Sequence, residues 1–142
     1  MPSAAFQKFN AFTENMAEKV HNLASDTLKV ALTNTAPVAT NTVIANITQI
    51  AAGNGYTTGG NTATQSSSSQ ASVGLYRLIL ADVVFTPVTA AMAAFRYVVL
   101  YNSTAINGEL IGFFDYGASI APAVGEPFTV DWDGVLGVID CQ

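Results

Sequence analysis

Nucleophilic catalysis needs a base beside the nucleophile, and the sequence offers one histidine for that task, His21. His21 falls at the end of a predicted helix, where its imidazole can simply be solvated or interact with the last carbonyl groups. The lone cysteine, Cys141, excludes an internal disulfide and a cysteine-based zinc site. We therefore expect no catalytic role for His21.

The acidic segment TVDWDGVLGVID resembles a calcium-binding loop only in part. Taken as such a loop, it places Asp131 and Asp133 at the third and fifth positions and Gly134 at the sixth. Thr129 would be the first ligand, however, Asp140 stands where the motif requires Glu, and no helices flank the segment. Strand alternation explains the same residues as a hairpin that turns at Asp133-Gly134.

Two further kinds of site have competing structural explanations. Asp115, Asp131 and Asp133 could form a glycosidase-type carboxylate pair, but isolated acids on strands usually face solvent. Exposed aromatic residues could stack on sugar rings, although aromatic residues at strand spacing more often belong to a core. The residues concerned are Trp132 and Tyr56, Tyr76, Tyr97, Tyr101 and Tyr116.

The glycine-rich stretch that begins at Gly53 has the composition of a phosphate-binding loop without its context. Its glycines miss the dinucleotide-binding spacing, it runs into a Ser/Thr tract, and no Gly-Lys-Ser/Thr follows. We therefore expect no enzyme, no cofactor and no metal ion.

The composition favours a chain that associates with other protein over one that is a monomer. Half of the 142 residues are hydrophobic and only 11% are charged, against roughly 25% in an average domain. Part of the surface is therefore expected to be buried against copies of itself or a partner, the alternative being a monomer with a neutral Ser/Thr/Asn coat. Five scattered Lys and Arg residues in a chain of net charge −5 make nucleic acid an unexpected partner. No signal peptide or membrane span is visible.

The segment Phe95 to Tyr116 organises the predicted fold. It contains two apolar runs joined by a short polar stretch with Asn-Gly, which is the pattern of a β-hairpin. Both faces of each run are largely apolar. The hairpin therefore requires a second sheet, or a partner molecule, over it.

The whole chain is predicted as one domain, 1–142, with a helix at 3–23 and a β-sandwich over 27–142. The helix follows from apolar residues at every third or fourth position, and it would cap the sandwich or form an arm toward a neighbouring subunit. Residues 43–50 fit a short turn of helix or an irregular strand, and 53–69 is a long loop. The predicted strands cover 27–33, 74–85 before Pro87, the two runs of the central hairpin, and the two runs around Asp133-Gly134. The fold class is mainly β, a sandwich or jelly roll with one N-terminal amphipathic helix.

Three blocks of sequence resemble small virion proteins of tailed phages. They are FNAFTENMAEKVHNLASDTLKVALTNTAPVA, AAGNGYTTGGN and YVVLYNSTA…LIGFFDYG, and together they cover most of the chain. Within that group the chain is most similar to the capsid cement, or decoration, proteins of short-tailed phages such as a Bordetella phage. The resemblance implies a jelly-roll-like dimer that clamps neighbouring capsomers.

The expected function is that of a virion structural protein, made in the host cytoplasm and placed on the capsid exterior, which binds the major capsid protein and itself. A homodimer is expected and a trimer is the alternative. The other function considered is a tail-associated receptor- or glycan-binding module. Interface residues are expected in the exposed apolar part of the helix and in the glycine-rich loop, namely Phe6, Phe9, Phe12, Gly53, Asn54, Gly55, Tyr56, Gly59 and Gly60.

Overall fold

The computed structural model describes residues 4–141, and over that range the chain is mainly β, with antiparallel sheets and one short α-helix. The helix α1 spans Ala11–Ala17, and a 3-10 turn spans Ile44–Asn46. The strands are β1 Gln7–Lys8, β2 Leu28–Thr33, β3 Asn61–Ala63, β4 Gln65–Ser72, β5 Leu75–Leu80, β6 Val83–Phe85, β7 Phe95–Asn102, β8 Leu110–Ile120, β9 Phe128–Val130 and β10 Ile139–Cys141.

The predicted central hairpin is confirmed. β7 and β8 pair antiparallel, with Val98 opposite Phe114 and Leu100 opposite Gly112. The connection turns at Gly108, whose φ of +67° is a conformation that glycine adopts without strain. The hairpin lies at the centre of a five-stranded sheet in the order β1-β8-β7-β2-β3.

Both faces of this sheet are covered by the chain itself. On one face, side chains such as Val98 and Leu100 join the main core, to which strands of the other sheets also contribute. On the other face, Val99 and Tyr101 pack in a smaller core that includes Phe9 and Ile47. The cover required by the apolar hairpin is therefore supplied within one molecule.

The second layer is divided into a three-stranded sheet, β10-β5-β4, and a two-stranded sheet, β6-β9. The run 74–85 forms two strands, not one, because the chain breaks its pairing at Ala81 and Asp82. The Asp82 carboxylate accepts a hydrogen bond from the Trp132 backbone N–H at 3.2 Å. This bond holds the break between β5 and β6 next to the chain that follows β9. The break lets β5 and β6 pair with different partners.

The helix predicted at 3–23 is much shorter. An extended segment, β1, pairs with β8 before α1 begins, and after α1 the chain leaves the helix at Lys19, which has a φ of +66°. The apolar residues whose spacing predicted a long helix are instead distributed over a strand, a short helix and the turns around them. Phe9 packs in the smaller core and Phe12 in the main core of the same molecule.

The prediction of a loop over 53–69 is wrong in its second half. Residues 61–63 pair with β2 and residues 65–72 pair with β5. Backbone hydrogen bonds hold these strands without an apolar side-chain pattern. The Gln65 side-chain amide also anchors the start of β4, donating to the Leu23 and Asp26 carbonyl oxygens at 3.1 and 2.6 Å.

The hairpin predicted at Asp133-Gly134 does not form. β9 pairs with β6 and β10 pairs with β5, so the two runs have separate partners. Asp133 instead stabilises a local turn, in which its carboxylate accepts hydrogen bonds from the backbone N–H groups of Val135 and Leu136 at 2.8 and 2.7 Å. This local turn accounts for an aspartate at position 133 without a paired hairpin.

Candidate functional site

The apolar residues proposed as a helix interface are mostly core residues. Phe9 is 0% exposed and Phe12 is 5% exposed. Phe6 is half-buried, with its ring 5.2 Å from that of Phe114. The expectation that these three form an exposed apolar face is therefore corrected, because a partner could reach Phe9 and Phe12 only if the fold opened.

The glycine-rich loop is built around a buried tyrosine. Tyr56 is 2% exposed, and its hydroxyl donates to the Gln49 side-chain oxygen at 2.6 Å while accepting from the Leu32 backbone N–H at 3.3 Å. Burial raises the pKa of Tyr56 to about 12, so the hydroxyl stays protonated. This tyrosine fixes the loop to Leu32, near the end of β2.

Two of the loop glycines serve close packing. A Cβ at Gly60 would overlap the Val30 carbonyl oxygen, and one at Gly55 would overlap that of Thr86. Both glycines have positive φ values, +75° and +101°. Their freedom from a side chain therefore lets the loop lie directly on neighbouring backbone.

The neighbouring Gly59 is held by side chains. Its N–H donates to Gln49 at 2.7 Å and its carbonyl accepts from the Tyr101 hydroxyl at 2.6 Å. At the other end of the loop, Gly53 and Asn54 are exposed. Of the six loop residues expected at an interface, only Gly53 and Asn54 are exposed.

His21 is buried in a polar cluster that the sequence did not reveal. It is 4% exposed, and its Nδ1 lies 3.0 Å from the Asn102 side-chain nitrogen. The same nitrogen donates to the Asp26 carboxylate at 2.6 Å. The cluster joins the end of β7 to the chain that follows α1.

The backbone fixes the orientation of the Asn102 amide. Its side-chain oxygen accepts from the backbone N–H groups of Thr104 and Ala105 at 3.0 and 3.2 Å, so its NH₂ group faces His21. His21 Nδ1 must then accept, and the proton of the neutral ring lies on Nε2. Within residues 4–141 that Nε2 has no hydrogen-bond partner. Burial lowers the pKa of His21, opposed in part by the charges of Glu109 and Asp26.

The carboxylates considered as a catalytic pair have separate structural partners. Asp115 accepts from the Arg96 guanidinium at 2.7 and 3.0 Å, which holds its pKa below the usual range. Asp133 accepts the two backbone N–H groups of its own turn, and its pKa is lowered for that reason. Asp131 is exposed. The contacts of Asp115 and Asp133 are those of structural carboxylates.

Residues 4–141 contain neither a cluster of metal-ligand side chains nor a helix able to span a membrane. Among these residues, no three or more His, Cys, Asp or Glu side chains are placed to hold a metal ion together. Over the same range, every helix is too short or too polar to span a bilayer.

The aromatic residues considered for sugar binding differ in accessibility. Tyr56, Tyr101 and Trp132 are buried, at 2%, 5% and 5% exposure. Tyr76 is half-buried, and its hydroxyl lies 2.8 Å from that of Ser68. Tyr116 is also half-buried, and it lines a surface groove with Pro122, Glu126, Pro127 and Phe128.

The polar strand β4 is not predicted by the sequence pattern. β4 lies at an edge of the β10-β5-β4 sheet, and residues 69–72 at its far end are exposed. Its sequence, QSSSSQAS, has no apolar alternation, and residues 65–69 fall within the predicted loop. The signal that could have found it is Gly74, a turn glycine just before the strongly β-like run LYRLIL.

Comparison of the chain with protein-family models, with curated proteins and with solved structures finds no match.

Proposed function

We propose that this chain is a non-enzymatic structural protein of a phage particle, which decorates the capsid exterior by binding the major capsid protein and itself. The proposal includes a jelly-roll-like arrangement of the sheets and synthesis in the host cytoplasm. Its starting point is the resemblance of three sequence blocks to capsid cement proteins. Its structural support comes from the kind of surface that the molecule presents.

The observation that carries the proposal is a set of exposed aliphatic side chains on a chain with few charged residues. Among residues 4–141, eight large apolar side chains are exposed, and all are aliphatic. Val73 and Ile106, at turn and loop tips, are 99% and 95% exposed, and the adjacent Val135 and Leu136 are 76% and 60% exposed. With only 11% charged residues in the chain, these side chains are suited to broad protein contacts.

The polar groups that could perform chemistry support the non-enzymatic part of the proposal. His21 is tied to Asn102, and Asp115 is tied to Arg96. Asp133 holds its own turn. Each group has a structural task that explains its position, so these residues do not require a reaction to account for them.

The first test is the copy number in the purified particle, measured by quantitative mass spectrometry against the major capsid protein. Hundreds of copies per particle are expected of a shell component, whereas a dozen or so would indicate a tail component and contradict the proposal. Absence from the particle would also contradict it.

The second test is binding of purified protein to capsids that lack it. Ile106→Asp and Leu136→Asp place a charge on exposed apolar positions and should weaken binding at least about tenfold if those positions lie in the interface. Ser119→Asp adds the same charge at an exposed polar position of β8 and serves as the control. Unchanged binding of both apolar-site variants would remove these positions from the capsid interface.

A tail-associated glycan-binding module is the second candidate, favoured by one feature. The groove beside Tyr116 combines an accessible part of an aromatic ring with the Glu126 carboxylate, a pairing suited to sugar hydroxyls. Binding of the purified protein to host polysaccharide, lost in Tyr116→Ala and retained in Tyr97→Ala, would favour this candidate.

A further inference from the structure

β4 presents a long free strand edge among residues 4–141. It has eight residues, whereas the edge strands β1, β3, β6, β9 and β10 have two or three each. β5 pairs with one side of β4, and no strand of the described chain pairs with the other. A long edge of this kind presents backbone N–H and C=O groups that can pair with another strand.

Natural edge strands are usually protected by Lys, Pro, brevity or β-bulges, and of these β4 has only irregularities near its ends. It contains no charged residue and no proline between Gln65 and Ser72. The register shifts lie near its ends, between Gln65 and Ser67 and between Gln70 and Ser72. The four residues between them pair regularly with β5, from Ser67 opposite Ile79 to Gln70 opposite Tyr76. The middle of the edge is therefore regular enough to template a further strand.

We propose that the free edge of β4 pairs antiparallel with β4 of a second copy about a two-fold axis near Ser68 and Ser69. The inference rests on the self-association that is part of the proposed function, and it names the surface. A two-fold contact places the same strand on both sides. Ser and Gln side chains both donate and accept hydrogen bonds, so this strand matches itself.

Charge further favours a second copy as the occupant. The molecule carries a net charge of −5, so two copies repel each other over most approaches. Along β4 every opposing pair would be uncharged, whichever residue lies on the axis. Antiparallel pairing would also bring Val73, at the β4–β5 turn, alongside the start of the partner strand.

The test uses charge on the outward face of β4, where the Ser67 and Ser69 hydroxyls lie 3.3 Å apart. The full chain with both serines replaced by Lys, and the full chain with both replaced by Asp, are studied by sedimentation velocity over about 1 to 100 μM. We expect a wild-type dimer, a rise of at least about tenfold in the dissociation constant of each variant, and recovery of the dimer when the two variants are mixed.

Thr62→Lys and Thr62→Asp are the matched controls, because Thr62 is an exposed residue of another edge strand, β3. They should leave dimerisation unchanged. A wild-type monomer over the whole concentration range, unaffected dimers in the serine variants, or no recovery on mixing would overturn the proposal. Capsid binding is measured separately, so a monomer that still binds capsids would refute this interface and the self-association, and it would leave the capsid-binding part of the proposed function standing.

Hydrogen exchange of the wild-type protein tests the same surface without substitution. The backbone amides of Ser67 to Gln70 that do not pair with β5 should exchange more slowly at high protein concentration than at low concentration. Equal exchange at both concentrations, under conditions where a dimer forms, would place the interface elsewhere.

Discussion

At the scale of single residues, the contact between His21 and Asn102 makes protonation unfavourable. The Asn102 amide presents its NH₂ group to His21 Nδ1, and the Asn102 oxygen is occupied by two backbone N–H groups. A proton on Nδ1 would therefore face another donor. Burial acts in the same direction, whereas Asp26 and Glu109 favour the charged ring.

The first prediction follows from this lowered pKa. Because the unfolded chain takes up a proton near the ordinary histidine pKa of 6.5 while the folded chain does not, the free energy of unfolding should fall as the pH drops below that value. The slope is at most about 1.4 kcal/mol per pH unit for one proton, and it ends once the lower folded pKa is passed. Urea unfolding between about pH 7.5 and about pH 4.5 measures it.

His21→Gln is the control for that experiment, since it keeps a polar side chain without a titrating ring. Its stability should vary less with pH across this window than that of the wild type. Asp115 and Asp133, whose pKa values are lowered from 3.8, act mainly at lower pH. An identical pH slope in the wild type and the variant would rule out His21 as the source.

The second prediction concerns Gly60, where space and backbone conformation both require glycine. Gly60→Ala should lose about 2–4 kcal/mol of unfolding free energy, because its Cβ would overlap the Val30 carbonyl. Gly74→Ala is a close control: Gly74 has a φ of +74° against +75° for Gly60, but its Cβ would meet open space. Equal losses in the two variants, measured by urea unfolding, would show that the close approach contributes nothing.

At the scale of elements, the N-terminal segment is part of the folded domain, because it pairs with a sheet and packs in the core. β1 adds a strand at the edge of the five-stranded sheet, and α1 then places Phe12 in the main core. Apolar residues spaced every three or four positions predicted a helix, yet a strand, a turn and a short helix bury the same residues. Periodicity alone could not separate these solutions, because it records which residues are buried and not what buries them.

The third prediction tests that placement. Phe9→Ala should cost about 3–5 kcal/mol of stability, because Phe9 is fully buried with its ring 5.2 Å from that of Phe113. Phe6→Ala should cost less, since Phe6 is only half-buried. Thermal or urea unfolding of both variants provides the comparison. A stable Phe9→Ala protein with weakened capsid binding would instead support the interface first expected for Phe9.

At the scale of the whole molecule, the sequence predicted the parts of the fold that have an apolar signature. The β7–β8 hairpin and β2 were predictable, because their buried residues alternate or run continuously along the chain. β4 was not, because a polar strand leaves no such record. The turn at Asp133 was placed correctly, but its flanking strands were paired with the wrong partners, since a local turn preference does not determine distant pairing.

The candidate site was less predictable than the fold for a related reason. Several of the loop residues expected at an interface instead make contacts within the molecule. Tyr56 is hydrogen-bonded to Gln49, and two of the glycines pack against neighbouring backbone. A shortage of charge indicates that a surface suits association without locating the contact on it. That location depends on which backbone edges remain free after folding, which only the tertiary structure specifies.

Trp132 gives this molecule an intrinsic optical probe. It is the one tryptophan in the sequence, it is 5% exposed, and its ring centroid lies 5.5 Å from that of Phe114 on β8. Its fluorescence emission therefore reports whether the strand carrying Phe114 and the chain after β9 are still together. Loss of that contact would shift the emission toward longer wavelength, so separation of the layers can be followed in real time without an added label.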